Sequence, residues 1–132
     1  AADYVARRLA ARPCQGRTVV LIGMLADKDA DGVIAALAPV VDAWVPASLE
    51  GERARTADDL AERLARRGAT IWHRGDSPAE AADWLSARLS PEDRVLVCGS
   101  FFTVAAVLGW YRGDGPSAGP TTGHAKRSEE AR

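Results

Sequence analysis

What constrains this chain most is the alternation of short apolar runs with helical patterns. Thr18-Val19-Val20-Leu21-Ile22 is β-branched or aliphatic throughout. Such a run reads as a strand buried on both faces, the environment of a parallel sheet covered by helices. Further strands are predicted within residues 40–45, 70–73 and 94–98. Helical spacing fills the gaps. Tyr4, Val5 and Leu9 line one face over residues 2–11, and Val33, Ile34 and Leu37 line one over residues 30–38. Leu60 and Leu64 stand four apart in a helix that opens at Thr56, where Asp59 is placed to complete a capping box. Ser77-Pro78-Ala79-Glu80 offers a cap, a proline at the first helical position and a glutamate at the third. A last helix is predicted over residues 103–111. Pro39 and Gly68 are stop signals. The pattern predicts an α/β fold, a Rossmann-like three-layer sandwich whose mostly parallel sheet carries helices on both faces.

The 132 residues fit one domain. Residues 1–112 are expected to form it. Residues 113–132 turn to Gly, Pro, Ser, Thr, Lys and Glu and are expected to be a disordered tail. A helix opening the chain with no strand before it suggests that a first strand lies upstream. Net charge is −1, with 17 basic and 18 acidic side chains, so no bulk attraction draws the chain to nucleic acid or anionic lipid. No apolar run approaches the ~20 residues needed to span a bilayer, and the first residues lack a secretory pattern. Cys14 and Cys98 are too few for a disulfide framework, and no zinc spacing accompanies them. Both are expected to be reduced thiols of a cytoplasmic protein.

Ligands of an open parallel sheet sit beyond the carboxyl ends of its strands. Four loops lie there: residues 23–29, 46–55, 73–76 and 99–102. In Gly23-Met24-Leu25-Ala26-Asp27-Lys28-Asp29 two carboxylates flank one ammonium just before a helix. Lys28 can present a point charge to an anion, and Asp27 can fix it or bind a cation. On the residues alone the plainer reading is a solvated turn with Asp29 as the helix cap. In Gly99-Ser100-Phe101-Phe102 the free amides of a helix start can hold an anion and Ser100 adds a donor. A plain strand-to-helix turn with a Ser cap reads the same way. No Walker A or GxGxxG pattern occurs, so the usual cradle for nucleotide phosphates is absent. His73 reads as a packing or surface residue, the four tryptophans as core, and Arg63, Arg66 and Arg67 as an exposed helix face.

The run Ile22-Gly23-Met24-Leu25-Ala26-Asp27-Lys28-Asp29 resembles the bifunctional dihydrofolate synthase and folylpolyglutamate synthase family. So does the stretch from Val95 through Cys98-Gly99-Ser100-Phe101-Phe102-Thr103 to Ala105. Val41-Asp42-Ala43-Trp44, Leu49-Glu50-Gly51 and Arg53-Ala54 match the family's middle segment in spacing. The resemblance implies the C-terminal domain of a Mur-type ligase, Rossmann-like and closing over a nucleotide. A larger N-terminal domain carries the P-loop, and it holds most of the ATP and Mg2+ contacts. The implied reaction adds L-glutamate to dihydropteroate or to folate polyglutamates through an acyl phosphate. The domain alone is expected to be inactive, to bind no cofactor or metal, and to belong to a monomeric enzyme. By the same resemblance Lys28 and Asp27 are the catalytic candidates, and Ser100, Asp29, Gly99 and Phe102 the substrate-binding ones. Phe102 departs from the histidine usual in bacterial members. The family's Asp-x-Ala-His-Asn-Pro segment, which contacts the nucleotide, would lie before Ala1. A stand-alone Rossmann-like binding module and a cell-wall Mur ligase are the alternatives.

Overall fold

A computed structural model describes Ala11 and residues 15–113. The expected opening helix (apart from Ala11), Cys14 and the tail beyond Gly113 lie outside the described residues. Strands β1 (Thr18–Ile22), β2 (Ala43–Pro46) and β3 (Arg94–Cys98) form a parallel sheet in the order β2-β1-β3. Val20 stands opposite Trp44 and Leu96, and Ile22 opposite Pro46 and Cys98. Among the described residues, helices α1 (Ala30–Leu37) and α2 (Ala57–Arg66) follow β1 and β2, α3 (Pro78–Ser86) precedes β3, and α4 (Phe101–Tyr111) follows it.

Strand side chains alternate between faces, and that period sorts the core into two layers. Val19, Leu21, Val45 and Val97 pack with Ala81 and Leu85 of α3 and with Val107 and Trp110 of α4. Val20, Ile22, Trp44 and Leu96 pack with Ile34 and Leu37 of α1 and with Leu60 and Leu64 of α2. All of β1 is buried. The three-layer sandwich expected from the sequence is the one found.

Three local expectations change. Residues 70–73 do run parallel beside β2: Trp44 N donates to Thr70 O at 2.9 Å and Trp72 N to Trp44 O at 2.9 Å. They do not make a fourth strand, because the pairing slips. Bridges join Trp44 to Ile71 and Ala47 to Gly75, so three steps along the inner chain face four along the outer one. That extra residue bulges and breaks the ladder. Helix α4 also starts earlier than residue 103, at Phe101, because Ser100 caps it. Elsewhere the caps are those predicted. Thr56 Oγ1 accepts from Asp59 N at 3.0 Å and Ser77 Oγ from Glu80 N at 3.1 Å. The Asp59 carboxylate does not reach back into its cap; it turns to Arg55 and Arg63.

The amino edge of the sheet is closed by Asp93. Its carboxylate accepts from Arg17 N at 2.7 Å and Ser90 N at 2.9 Å, tying the entry of β3 to that of β1. Burial pushes this carboxyl up. The amides of Arg17 and Ser90, the Ser90 hydroxyl and the Arg17 guanidinium outweigh burial and leave it below its ordinary value. A carboxyl held lower in the folded chain than in the unfolded one stabilises the fold above the unfolded value. That contribution is lost as pH falls through the folded value. Stability should therefore decline as pH drops below about 4. Asp93→Asn deprives one backbone amide of its acceptor and should cost about 1–3 kcal/mol at neutral pH, with a flatter acid limb. Urea midpoints followed from neutral to strongly acid pH check both.

Candidate functional site

The site is built at the carboxyl edge, where the chain leaves β1 and β3. Gly23 N donates to Cys98 O at 3.2 Å, so the two exits stay paired for one residue beyond the strands. Gly99 then turns with φ +117°, a conformation that disfavours side chains. A Cβ at Gly99 would run into the Gly23 carbonyl oxygen. Thr103, fully buried in the first turn of α4, donates its hydroxyl to that same oxygen at 2.8 Å. A Cβ at Gly23 would sit 2.7 Å from Thr103 Oγ1. The 23–29 and 99–102 loops are thereby fused into one rim.

On the α4 side, Ser100 Oγ accepts from Thr103 N at 3.2 Å. It lies 3.3 Å from Thr103 Oγ1. The Thr103 proton is committed to Gly23 O, so Ser100 must be the donor in that longer contact or direct its proton outward. On the β1 side, Leu25 bridges Ala54 in antiparallel sense. Ala26 N donates to Arg53 O at 2.6 Å and Arg55 N to Met24 O at 3.0 Å. The Arg55 guanidinium donates to Ala26 O at 2.9 Å and Lys28 O at 3.2 Å, and to Asp59 Oδ2 at 3.1 Å. Asp59 also accepts from Arg63 Nε at 3.2 Å, and Arg63 reaches Asp31 of α1 at 2.6 Å. Burial raises the Asp59 carboxyl, but hydrogen bonds and charge from Arg63 and Arg55 hold it below its ordinary value.

Each sequence candidate can now be placed. Asp27 and Lys28 present exposed side chains at the tip of the first loop. Asp29 caps α1, its Oδ1 accepting from Gly32 N at 3.0 Å. Gly99 forms the seam and Ser100 caps α4. Phe102 is 61% exposed and its neighbour Phe101 80%. A pocket of about 330 Å³ opens beside them, lined among others by Leu25, Leu49, Glu50, Ser77, Pro78 and Phe102. Leu25 and Phe102 bring both loops into its wall. Lys28 and Ser100 stand on the same edge but outside that lining.

Sequence reasoning missed Arg55. Its spacing of four from Asp59 was a readable signal for the ion pair, but its grip on the distant carbonyls was not. Arg63, expected on an exposed face, is instead a bridge between α2 and α1. His73 is structural, with Nε2 3.0 Å from both Glu80 oxygens and its ring stacked on Trp84 at 4.5 Å. The Cys98 residue keeps some surface, yet burial of its thiol pushes the pKa up to about 12, so it carries no thiolate at neutral pH. Among the described residues no three His, Cys, Asp or Glu side chains gather to hold a metal ion. Nor, among them, is any helix long and apolar enough to cross a membrane.

The family model for the Mur ligase, glutamate ligase domain matches residues 1–101. The chain belongs to this family. This glutamate ligase domain is similar to the dihydrofolate synthase/folylpolyglutamate synthase of Escherichia coli K12. The two are 48% identical over 108 residues, covering 82% of this chain and 24% of the relative. It is similar in structure to E. coli FolC in complex with DHPP and ADP, with TM-score 0.73, 46% identity, and coverage of 81% of this chain and 25% of that one. It also resembles a bifunctional folylpolyglutamate synthase/dihydrofolate synthase with Mn, AMPPNP and L-glutamate bound. There the TM-score is 0.70 and the identity 39%, covering 82% of this chain and 25% of that one. The domain thus spans about a quarter of the length of these relatives. The family resemblance carried by the two loops is upheld.

Proposed function

We propose that this domain is the C-terminal part of a cytoplasmic, monomeric ATP-dependent ligase that adds L-glutamate to dihydropteroate, to folate polyglutamates, or to both. The observation that supports it most is the fused rim of the 23–29 and 99–102 loops, in a chain of the glutamate ligase family. A P-loop domain of the same polypeptide faces the rim and holds ATP and Mg2+. ATP phosphorylates the substrate carboxylate and ADP departs. The amine of glutamate attacks the acyl phosphate carbon, loses a proton, and phosphate leaves as the amide forms. Such a reaction depends on positioning and on charge stabilisation, and it asks for no nucleophile from the protein. Lys28 supplies a cation for the phosphate or for a glutamate carboxylate, and Asp27 orients it. Ser100 donates a hydrogen bond from the α4 entry, beside the Gly99 turn. Asp29 fixes the loop against α1, and Phe102 gives the substrate an apolar wall.

The test is an assay of the longer protein with ATP, glutamate and either dihydropteroate or tetrahydrofolate. Glutamate-dependent release of ADP with at least one of them is expected, and none from the isolated 132-residue chain. Turnover only with a cell-wall precursor would contradict the folate assignment.

A further inference from the structure

We propose that Arg55 is a positioning residue for the reaction, setting the presentation of Lys28 and Asp27. This rests on the functional reading above. The carbonyls of Ala26 and Lys28 flank the Asp27–Lys28 pair, and both accept from Arg55. A carbonyl's direction fixes ψ of its own residue and φ of the next. One guanidinium therefore constrains φ of Asp27 and ψ of Lys28, whose side chains are exposed.

The guanidinium is itself held. Its side chain is only 15% exposed, and NH1 pairs with Asp59. Asp59 is anchored through Arg63 to Asp31, so the brace ends on both helices of one face of the sheet. Among the described residues Arg55 Nε has no acceptor, so the guanidinium's position is set by the loop carbonyls and Asp59. A planar fork can bridge two carbonyls and a carboxylate together, whereas a lysine ammonium on a flexible stem cannot hold that geometry.

The test uses the longer protein with Arg55→Ala, Arg55→Lys, Lys28→Ala and the double variant Arg55→Ala/Lys28→Ala. Amide hydrogen exchange over residues 27–29 is read beside kcat and KM for glutamate. Arg55→Ala should speed exchange there and lower kcat/KM about tenfold, with Arg55→Lys between it and the parent. The double variant should be no worse than Lys28→Ala, because a brace has nothing left to place. Faster exchange with unchanged kcat/KM would reduce Arg55 to a structural residue and overturn the proposal. Unchanged exchange, or losses that multiply in the double variant, would overturn it too. If Lys28→Ala alone keeps full activity, the assignment of the loop to the reaction fails, and with it any reaction role for Arg55. That pattern differs from one in which Lys28 matters and Arg55 does not.

Discussion

Gly99→Ala should destabilise the domain by about 2–6 kcal/mol, a large share of a small domain's stability. Two costs combine. Alanine disfavours φ +117°, at about 1–3 kcal/mol. Its Cβ would also collide with the Gly23 carbonyl oxygen and the Met24 side chain, and forcing extra volume into a packed seam costs about 1–3 kcal/mol more. Relief would require β1 and β3 to part at their exits, against the Thr103–Gly23 bond. Gly51 supplies the control. Its φ of +108° is close to that of Gly99, but nothing lies within 4 Å of a Cβ built there. Gly51→Ala therefore measures the backbone cost alone. Urea midpoints of the two variants should differ by the collision at the seam. Equal midpoints would mean that the two loops are not pressed together as described.

The fold was legible where local chemistry decides it. Thr18–Ile22 and Arg94–Cys98 are strands because their residues suit burial between helix layers, and their bounds match the reading. Asp29, Thr56 and Ser77 cap helices because a short polar side chain before an apolar period satisfies a first-turn amide. Legibility ended where the outcome depends on register or on distant partners. Nothing in residues 70–73 announces that the outer chain has one residue too many against β2. Asp59 has the right spacing for a capping box, but two arginines outcompete the cap for its carboxylate. Gly23 and Gly99 could be read as turn residues. Their contact with each other joins segments that only the crossover brings together. The grip of Arg55 on Ala26 and Lys28 is equally remote in sequence, so no window of local pattern contains it.

At the proposed site, the sequence named two loops that the structure joins at one edge, but it left open that two of the named side chains are occupied as caps. Asp29 and Ser100 both have structural duties as caps, and substitution at either mixes helix stability with any loss of ligand contact. Lys28 has no such duty to confuse the outcome. It is exposed at the loop tip, its backbone is held by Arg55 and by Leu25 O, and its ammonium is the cation both loops leave at the rim. Removing a preorganised charge from a site of charge stabilisation costs about 10²–10³ in rate. Replacing an exposed side chain costs less than about 0.5 kcal/mol of stability.

Kinetics of Lys28→Ala in the longer protein, measured beside its unfolding midpoint, decide whether this edge serves the reaction. A loss of about a hundredfold in kcat/KM for glutamate is expected, with the midpoint unmoved. Ser100→Ala should lose activity as well, together with about 1 kcal/mol from its cap. Unaltered glutamate affinity and turnover in both variants would contradict the assignment of this edge to the reaction.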